Sequence, residues 1–269
     1  MPLHLPMNDP VIGRQVVQRR GGLKAEVDDL LVVEEPLEIR LGDTAIAVIM
    51  RTPGDDDDLV RGFALTEGIA LDPDEIGQIE NLGEGRYRLS FSEGVTVNAE
   101  QFRRNLYATS SCGVCGKASI DAVRIAARTA TPGPIVSEAV ILRLPDSLAT
   151  AQPSFDLTGG IHGAAAFTAD GKLIAAAEDI GRHNSVDKVI GAIAGAGWPV
   201  IYPILFVSGR VSFEIVQKAA VAGFAIVAGV SAMSSLAADL AEELGITALG
   251  FVRDGGFNVY TGADRIAMH

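Results

Sequence analysis

Apolar and polar residues form short strand-like runs over the first fifty residues of the chain. The runs lie at 14–18, 30–33, 37–40 and 45–49. Each run is rich in residues that favour strands, and Leu41-Gly42-Asp43 supplies a turn between the last two. We therefore expect antiparallel strands at the start of the chain.

A helix is predicted directly after these strands. Asp55 to Asp58 precede apolar residues at helical spacing, among them Leu59, Val60 and Phe63. Acidic residues suit the positive amino-terminal end of a helix, so we interpret the acidic run as capping. Metal binding would need converging ligands, whereas consecutive side chains on a helix diverge.

The middle of the chain predicts a hairpin, a helix and then a boundary. Residues 86–97 favour the hairpin, with its bend at Ser92-Glu93-Gly94. The helix is expected over 118–128, and Thr131-Pro132-Gly133-Pro134 ends it. We place the domain boundary after this segment, so that residues 1–135 form a β-rich amino-terminal region.

The remaining residues alternate strands with helices. Strands are predicted near 173–177, 201–207, 225–228 and 247–252, and helices begin near 185, 211 and 234. This alternation is typical of parallel strands joined by crossover helices. We therefore expect an α/β domain over 136–269, and an α/β (α+β overall) fold class for the whole chain.

Composition narrows the function classes. The chain has 269 residues, a formal net charge of −12 and a pI near 4.7, which argues against nucleic-acid binding because that binding rests on Lys and Arg. No apolar stretch approaches the length needed to cross a bilayer, so no membrane association is expected. The amino-terminal Met-Pro-Leu-His-Leu-Pro lacks the features of a secretory signal, and we expect a cytoplasmic protein.

The clearest candidate for chemistry is Cys112-Gly113-Val114-Cys115, which contains both cysteines of the chain. The motif precedes the predicted helix and is followed by Gly116-Lys117, and both a helix amino terminus and a nearby Lys favour the thiolate. A thiolate is the nucleophile of sulfur exchange, so Cys112 or Cys115 could take sulfur from a persulfide. Two buried, inert cysteines are the alternative, which the neighbouring glycines disfavour.

Zinc and redox chemistry are the competing interpretations of the cysteine pair. A zinc site would need two further ligands, and the histidines are His4, His162, His183 and His269. A zinc deaminase would carry His-x-Glu, but Gly163-Ala164 follows His162. We therefore expect no structural metal, while thioredoxin-like thiol–disulfide exchange stays open as the second interpretation.

Three glycine-containing turns carry polar residues that could bind an anion. These turns are Thr158–Gly163, Glu178–Ser185 and Ser208–Ser212. The second and third follow a predicted strand and open a helix, where free N–H groups and Arg can hold phosphate. Ordinary turn chemistry is the alternative, with Asn184 or Ser185 as a helix cap and Asp179 paired with Arg182. Both interpretations stay open.

The carboxy-terminal residues Gly250–Tyr260 predict two strands around the bend Asp254-Gly255-Gly256. Arg253 lies at this bend and is a candidate anion contact. Neither a Walker loop nor Gly-x-Gly-x-x-Gly is present, so spacing alone identifies no nucleotide.

Taken together and in order, these motifs resemble the FdhD family of formate dehydrogenase accessory sulfurtransferases. The resemblance rests on Arg51–Gly54, Phe63–Gly68, Ser110–Gly116, Thr158–Gly163, Glu178–Asn184 with Asp187-Lys188, Ser208–Arg210 and Gly250–Arg253. Several separate motifs over nearly the whole chain make it specific.

The resemblance implies a sulfur carrier with a cytidine-deaminase-like fold that has lost the zinc chemistry. It implies that Cys112 accepts persulfide sulfur from a cysteine desulfurase, with Cys115 as a possible relay. The sulfur would pass to the molybdenum cofactor, bis-molybdopterin guanine dinucleotide, which the formate dehydrogenase catalytic subunit requires. It also implies a homodimer, with GDP as a ligand analogue.

The expected cofactor site combines the resemblance with the glycine turns. The family's guanine-binding stretch matches Phe251, Val252, Arg253, Asp254, Gly255 and Gly256, and we add His162, Arg182, His183, Ser208, Gly209 and Arg210. Two other functions stay open at this stage: a thiol–disulfide oxidoreductase, and a non-catalytic chaperone that only binds the guanylyl cofactor.

Overall fold

The computed structural model describes residues 9–99, 102 and 133–267, and these contain four β-sheets and six α-helices. The first six strands are β1 Val11–Arg20, β2 Leu23–Val32, β3 Glu35–Leu41, β4 Thr44–Arg51, β5 Ile76–Gly83 and β6 Arg86–Phe91. The others are β7 Val136–Ser137, β8 His162–Phe167, β9 Leu173–Asp179, β10 Ile204–Val207, β11 Ile226–Gly229, β12 Thr247–Arg253, β13 Gly256–Thr261 and β14 Ile266–Ala267. The helices are α1 Asp56–Thr66, α2 Glu138–Thr150, α3 Pro153–Thr158, α4 Arg182–Ala194, α5 Phe213–Ala222 and α6 Ser235–Glu243.

The amino-terminal strands form two sheets. Strands β1 and β2 pair only with each other in an antiparallel ribbon, whereas β4, β3, β6 and β5 form a four-stranded sheet in that order. The predicted antiparallel start is confirmed, and Gly42 adopts a positive φ of 56° in the β3–β4 turn. Helix α1 covers one face of the four-stranded sheet, where Leu59 and Phe63 join Leu37, Ile39 and their neighbours in one apolar cluster.

The hairpin prediction over 86–97 is wrong in its bend. Strand β6 pairs antiparallel with β5, which precedes it, and Glu84 and Gly85 form the turn with positive φ values of 51° and 71°. Residues 95–98 are not in a strand. Ser92, at the predicted bend, donates from its hydroxyl to the carbonyl oxygen of Asp74.

The carboxy-terminal sheet has six strands in the order β13-β12-β11-β10-β8-β9. Strands β10, β11 and β12 are parallel, as predicted, whereas β8 and β13 run antiparallel to their neighbours. Helices α4, α5 and α6 pack on one face of this sheet and α2 on the other. The order places the ends of β9 to β12 and the start of β8 at one edge of the sheet.

Helix α1 packs closely against α4 and connects the two parts of the chain. A side chain on Gly62 would place its Cβ 1.8 Å from the carbonyl oxygen of Asp187, and one on Gly191 would place it 1.9 Å from that of Asp58. Both positions therefore admit only glycine at this separation. The division at residue 135 stays a prediction.

The capping predictions are only partly correct. Asp56 to Asp58 lie in the first turn of α1, but the N-cap residue Asp55 makes no side-chain cap bond. The Asp56 carboxylate instead binds the guanidinium of Arg51 at 2.8 and 3.0 Å. Of the two caps proposed for α4, neither is the N-cap, because that position is Gly181.

Candidate functional site

The three glycine-containing turns meet at one edge of the six-stranded sheet. Thr158–Gly163 leads into β8, Glu178–Ser185 connects β9 to α4, and Ser208–Ser212 connects β10 to α5. Strands β8, β9 and β10 are adjacent, which brings the turns together. This edge is where α/β sheets generally bind ligands, because helix amino termini and free backbone N–H groups gather there.

Gly209 brings His162 and Arg182 to the same point. A Cβ at Gly209 would lie 3.3 Å from His162 Nδ1 and 3.9 Å from Arg182 Cβ, so the glycine lets these residues approach the β10–α5 turn. Gly163 is equally constrained, since a Cβ there would lie 2.4 Å from Gln152 Nε2. The absence of a side chain at these two glycines therefore lets His162 and Gln152 pack against the backbone of the turns.

Arg182 lacks the partner that the sequence suggested. Asp179 pairs with Lys188 at 2.9 Å, not with Arg182, so the predicted local ion pair is wrong. The Arg182 Nε atom is buried and has no hydrogen-bond partner among the residues that the structure describes. Within the described ranges, neither Arg182 nor the exposed Arg210 forms an ion pair. An uncompensated pair of guanidinium groups in an acidic chain is suited to an anionic ligand.

Electrostatics keep His162 neutral. Burial lowers the pKa of the His162 imidazole below its usual 6.5, and the charges of Arg182 and Arg210 lower this pKa further, against an opposing effect of Asp179. A neutral imidazole can donate one hydrogen bond and accept another. It adds no positive charge to the two arginines, so an anion here would be attracted mainly by the guanidinium groups.

His183 faces a buried polar cluster beside the site. Its Nε2 atom lies 3.0 Å from Glu214 Oε2 and 3.2 Å from Ser212 Oγ. Burial and the Arg182 charge lower the pKa of His183 to about 3, so the ring is neutral at pH 7 and the contact with Glu214 is a hydrogen bond. Because both contacts involve Nε2, they do not form the serine–histidine–carboxylate relay, which uses both ring nitrogens.

Ser208 fixes the edge of the sheet. Its hydroxyl accepts a hydrogen bond from Gly163 N–H at 2.9 Å, and its own N–H donates to the Gly163 carbonyl oxygen at 2.9 Å. These two bonds join the end of β10 to the start of β8. Ser208 therefore positions the turn that carries Gly209 and Arg210.

The β12–β13 hairpin confirms the predicted bend and presents an aromatic ring. Phe251 has a positive φ of 54°, which is strained for a bulky residue, and its N–H donates to Ser231 O at 3.0 Å. The Arg253 guanidinium lies 5.4 Å from the centre of the Phe251 ring. Val252 is fully buried, whereas Asp254 and Gly255 form the turn with positive φ values. The structure thus stacks a cation over an aromatic ring at the end of β12.

Some residues at this edge were not predicted. The Lys188 ammonium binds Asp179 and also donates to the carbonyl oxygens of Thr52 and Glu178 at 2.9 and 3.1 Å. Gln152 is 4% exposed, and its Nε2 atom has no hydrogen-bond partner in the described part of the chain. Nothing in the local sequence distinguishes Gln152. Lys188 belongs to a motif that the sequence singled out, Asp187-Lys188, but the sequence did not show that Asp179 is its partner. Cys112, Cys115 and the helix predicted over 118–128 lie outside the described residues.

Comparison with known proteins gives one family. The model of the FdhD/NarQ family matches residues 32–267. The chain is 46% identical over 268 residues to the "Sulfur carrier protein FdhD" of Streptomyces coelicolor, and the match covers 95% of each chain. It is also 46% identical over 253 residues to the protein of the same name from Mycobacterium tuberculosis, which covers 88% of this chain and 92% of that one.

A solved structure shows the same fold. The crystal structure of a protein from Desulfotalea psychrophila, described as a formate dehydrogenase accessory protein, superposes with a TM-score of 0.79 at 24% identity. The superposition covers 96% of this chain and 100% of that one. The expected α/β fold class is confirmed. Among the described residues, no helix is both long enough and apolar enough to cross a membrane.

Proposed function

We propose, because the chain belongs to the FdhD/NarQ family, that it is a sulfur carrier that serves formate dehydrogenase. The observation that carries this proposal is the match over 32–267, which includes Cys112 and Cys115. The charge of the sheet edge supports an anionic substrate. The protein is a sulfurtransferase in this proposal, and its place of action is the cytoplasm.

The proposed first step is a persulfide exchange. The Cys112 thiolate attacks the terminal sulfur of a persulfide on a cysteine desulfurase, the sulfur–sulfur bond of the donor breaks, and the donor cysteine leaves as a thiolate. A sulfur atom with six valence electrons is transferred, so no external oxidant or reductant is needed. In this proposal Cys115 relays the sulfur, and its role is secondary to that of Cys112.

The proposed acceptor is bis-molybdopterin guanine dinucleotide, the molybdenum cofactor of the formate dehydrogenase catalytic subunit. Its phosphates suit the guanidinium groups of Arg182 and Arg210, which form no ion pair with any residue that the structure describes, because a guanidinium can bond two phosphate oxygens at once. The neutral ring of His162 can donate one further hydrogen bond.

A guanine base suits the β12–β13 hairpin of the same sheet. The Phe251 ring with Arg253 beside it offers a stacking surface, and Gly255 and Gly256 leave the backbone accessible. GDP is therefore the analogue that we expect to bind. His183 and Ser208 have positioning roles in this scheme, since their side chains bind protein groups.

Mass spectrometry tests the proposal directly. The purified protein is incubated with a cysteine desulfurase and cysteine, and the peptide that contains Cys112 and Cys115 is analysed. The mass of one added sulfur atom supports sulfur transfer. Loss of two hydrogens would instead support a thiol–disulfide oxidoreductase, and no change would leave a chaperone that only binds the cofactor.

A further inference from the structure

Three large apolar residues come together on the loops that follow α1 and α4. Trp198 follows α4 and donates from Nε1 to the carbonyl oxygen of Leu71, which is 2.9 Å away. Ile201 lies on the same loop as Trp198, with its Cγ2 atom 3.5 Å from the point that a Cβ on Gly197 would occupy. We call Leu71, Trp198 and Ile201 the Trp198 surface.

The Trp198 surface combines a fixed aromatic ring with exposed aliphatic side chains. Trp198 is partly buried and packs against Leu65 of α1 and Ala194 of α4. Leu71 and Ile201, by contrast, are 65% and 68% exposed. Single exposed apolar residues are common on protein surfaces, but an adjacent group that includes a tryptophan is typical of the centre of a protein interface.

The surroundings of the Trp198 surface are negatively charged. Its first loop continues with Asp72, Asp74 and Glu75, and none of these three forms an ion pair with a residue that the structure describes. The sequence contains no Lys, Arg or His over 62–85 or over 189–209. Helices α1 and α4 end beside the surface with no basic residue in their last turns, so their carboxy termini add partial negative charge.

The Trp198 surface and the proposed cofactor site lie at opposite ends of α4. This helix begins with Arg182 at the site and ends at Ala194, and its 13 residues span roughly 20 Å. A protein bound to the Trp198 surface therefore leaves the edge with Arg182 and Arg210 uncovered. This arrangement suits the protein that delivers sulfur better than the enzyme that receives the cofactor.

We propose that the Trp198 surface docks the persulfide donor, through a donor segment in which lysine or arginine flanks an apolar side chain. The apolar side chain packs on Trp198, and the cations face the three carboxylates of the neighbouring loop. This inference rests on the proposed function and deepens it, because it names the surface that the cysteine desulfurase contacts.

Leu71→Lys and Ile201→Lys in the full-length chain test the apolar centre, and Leu236→Lys is the matched control. Leu236 is 51% exposed and lies on α6, on the other side of α5 from α4. All three substitutions add the same charge at an exposed aliphatic residue. Biolayer interferometry with the purified cysteine desulfurase should show a dissociation constant raised at least about tenfold for the first two variants. Leu236→Lys should keep the wild-type value.

Asp74→Asn and Asp239→Asn test the charge of the surroundings. Both residues are exposed, but Asp239 lies on α6. Asp74→Asn should weaken the complex and make its affinity less dependent on salt concentration, because one attraction to the donor cations is lost. Asp239→Asn should change neither quantity. Circular dichroism of each variant verifies that the chain is folded.

A small-molecule donor separates docking from sulfur chemistry. Cysteine persulfide needs no docking surface, so it should load Cys112 equally in the wild type and in Ile201→Lys. Loading from the desulfurase should be slower in Ile201→Lys. If Cys112 takes sulfur from neither donor, the sulfur-carrier proposal fails, while the binding measurements still decide the docking surface.

Four results would each overturn the docking surface. Two concern the donor: no binding of the desulfurase to the wild type, or wild-type affinity of the desulfurase for Ile201→Lys. The third is an equal effect of Asp74→Asn and Asp239→Asn on that affinity. The fourth is a change in the mass of the particle on Ile201→Lys without any donor, measured by sedimentation equilibrium, which would make this surface a contact between copies of the chain.

Discussion

His183 shows how burial changes the titration of a side chain beside the proposed site. Burial and the Arg182 charge lower the pKa of His183 from 6.5 to about 3. Between about pH 3 and pH 6.5 the His183 ring is therefore neutral in the folded state and protonated in the unfolded state. Because the folded pKa is lowered, the stabilisation is fully present above pH 6.5 and is lost as the pH falls towards 3.

As the pH is lowered from roughly 6 to 4, the free energy of unfolding should consequently fall by about 1.4 kcal/mol per pH unit for this one proton. Denaturant unfolding of the wild type and of His183→Gln over this range isolates the contribution, since the carboxylates are common to both. The variant should show the smaller slope. Equal slopes, or an imidazole NMR titration of His183 near pH 6.5, would contradict the buried neutral ring.

Arg182 and Arg210 should be needed for binding of a guanine nucleotide. Losing one charge-assisted contact to phosphate should weaken GDP binding roughly tenfold to a hundredfold, because a contact to a charged group contributes about 1.5–3 kcal/mol. Calorimetric titration of Arg182→Ala and Arg210→Ala measures this. Arg143→Ala, an exposed arginine on α2, is the matched control and should bind as the wild type does. Unchanged GDP affinity in the Arg182 and Arg210 double variant would move the phosphate away from these turns.

Cys112 should be the essential cysteine. Cys112→Ala should abolish the persulfide adduct and leave the formate dehydrogenase inactive in a strain that lacks the native protein, because the thiolate is the attacking group. Cys115→Ala is the paired variant and should retain part of the activity. Full restoration of dehydrogenase activity by Cys112→Ala would show that sulfur is carried elsewhere.

At the scale of elements, the sequence predicts those turns correctly in which glycine occupies a position that needs a positive φ. The β3–β4 hairpin follows from Leu41-Gly42-Asp43, and the β12–β13 hairpin from Asp254-Gly255-Gly256, because glycine accepts the positive φ that tight turns require. Helix α6 begins as expected, since the Ser234 hydroxyl accepts from Ala237 N–H.

The elements that were missed have weak local signals. The β5–β6 turn uses Glu84 at a positive φ, which is unusual for that residue, so Ser92-Glu93-Gly94 looked the better bend. Helix α2 contains Pro145 in its interior, a residue that normally ends a helix. Its burial against the sheet through residues such as Ile141 and Leu144 outweighs this preference, and such packing cannot be read from a local window.

Close packing of α1 on α4 should make Gly62 intolerant of a side chain. A Cβ at Gly62 would lie 1.8 Å from the carbonyl oxygen of Asp187, so the two helices would have to separate to accommodate it. Gly62→Ala should therefore lower the free energy of unfolding by about 1–3 kcal/mol or more. Gly195→Ala is the control, because its φ is −69° and nothing lies within 4 Å of its Cβ. Denaturant unfolding compares them. Equal stability of the two variants would contradict the helix contact.

For the whole molecule, buried charges join parts of the chain that are far apart in sequence. Lys188 on α4 binds the Thr52 carbonyl oxygen, and the Thr52 N–H donates to Asp179. Lys218 on α5 binds Asp187 at 2.8 Å and also Glu67 at 3.0 Å. Lys218 and Asp187 are 31 positions apart, whereas the other three contacts link residues 127 to 151 positions apart. The sequence motifs therefore identified the residues but not which of them pair. The candidate site is held in place by this network.

The linked network predicts that the two parts of the chain unfold together. Trp198, the single tryptophan, donates from Nε1 to the Leu71 carbonyl oxygen at 2.9 Å, so its fluorescence reports on the contact between them. Thermal unfolding of the wild type should give the same midpoint by Trp198 fluorescence and by circular dichroism. Two separate midpoints would show that the parts unfold independently.

Removing the Lys218 ammonium should weaken this coupling strongly. Burial alone would lower the pKa of Lys218, but Asp187 and Glu67 outweigh this effect and raise the pKa, so the ammonium stays charged. Its loss removes the cation that faces the buried Asp187 carboxylate. Lys218→Met should therefore lower the free energy of unfolding by about 3–5 kcal/mol. Adding Asp187→Asn to Lys218→Met should recover part of that loss, because an amide needs no cation. Lys172→Met, at an exposed lysine, is the control and should change stability little. If Lys218→Met were as stable as Lys172→Met, the buried pair would not hold the two parts of the molecule together.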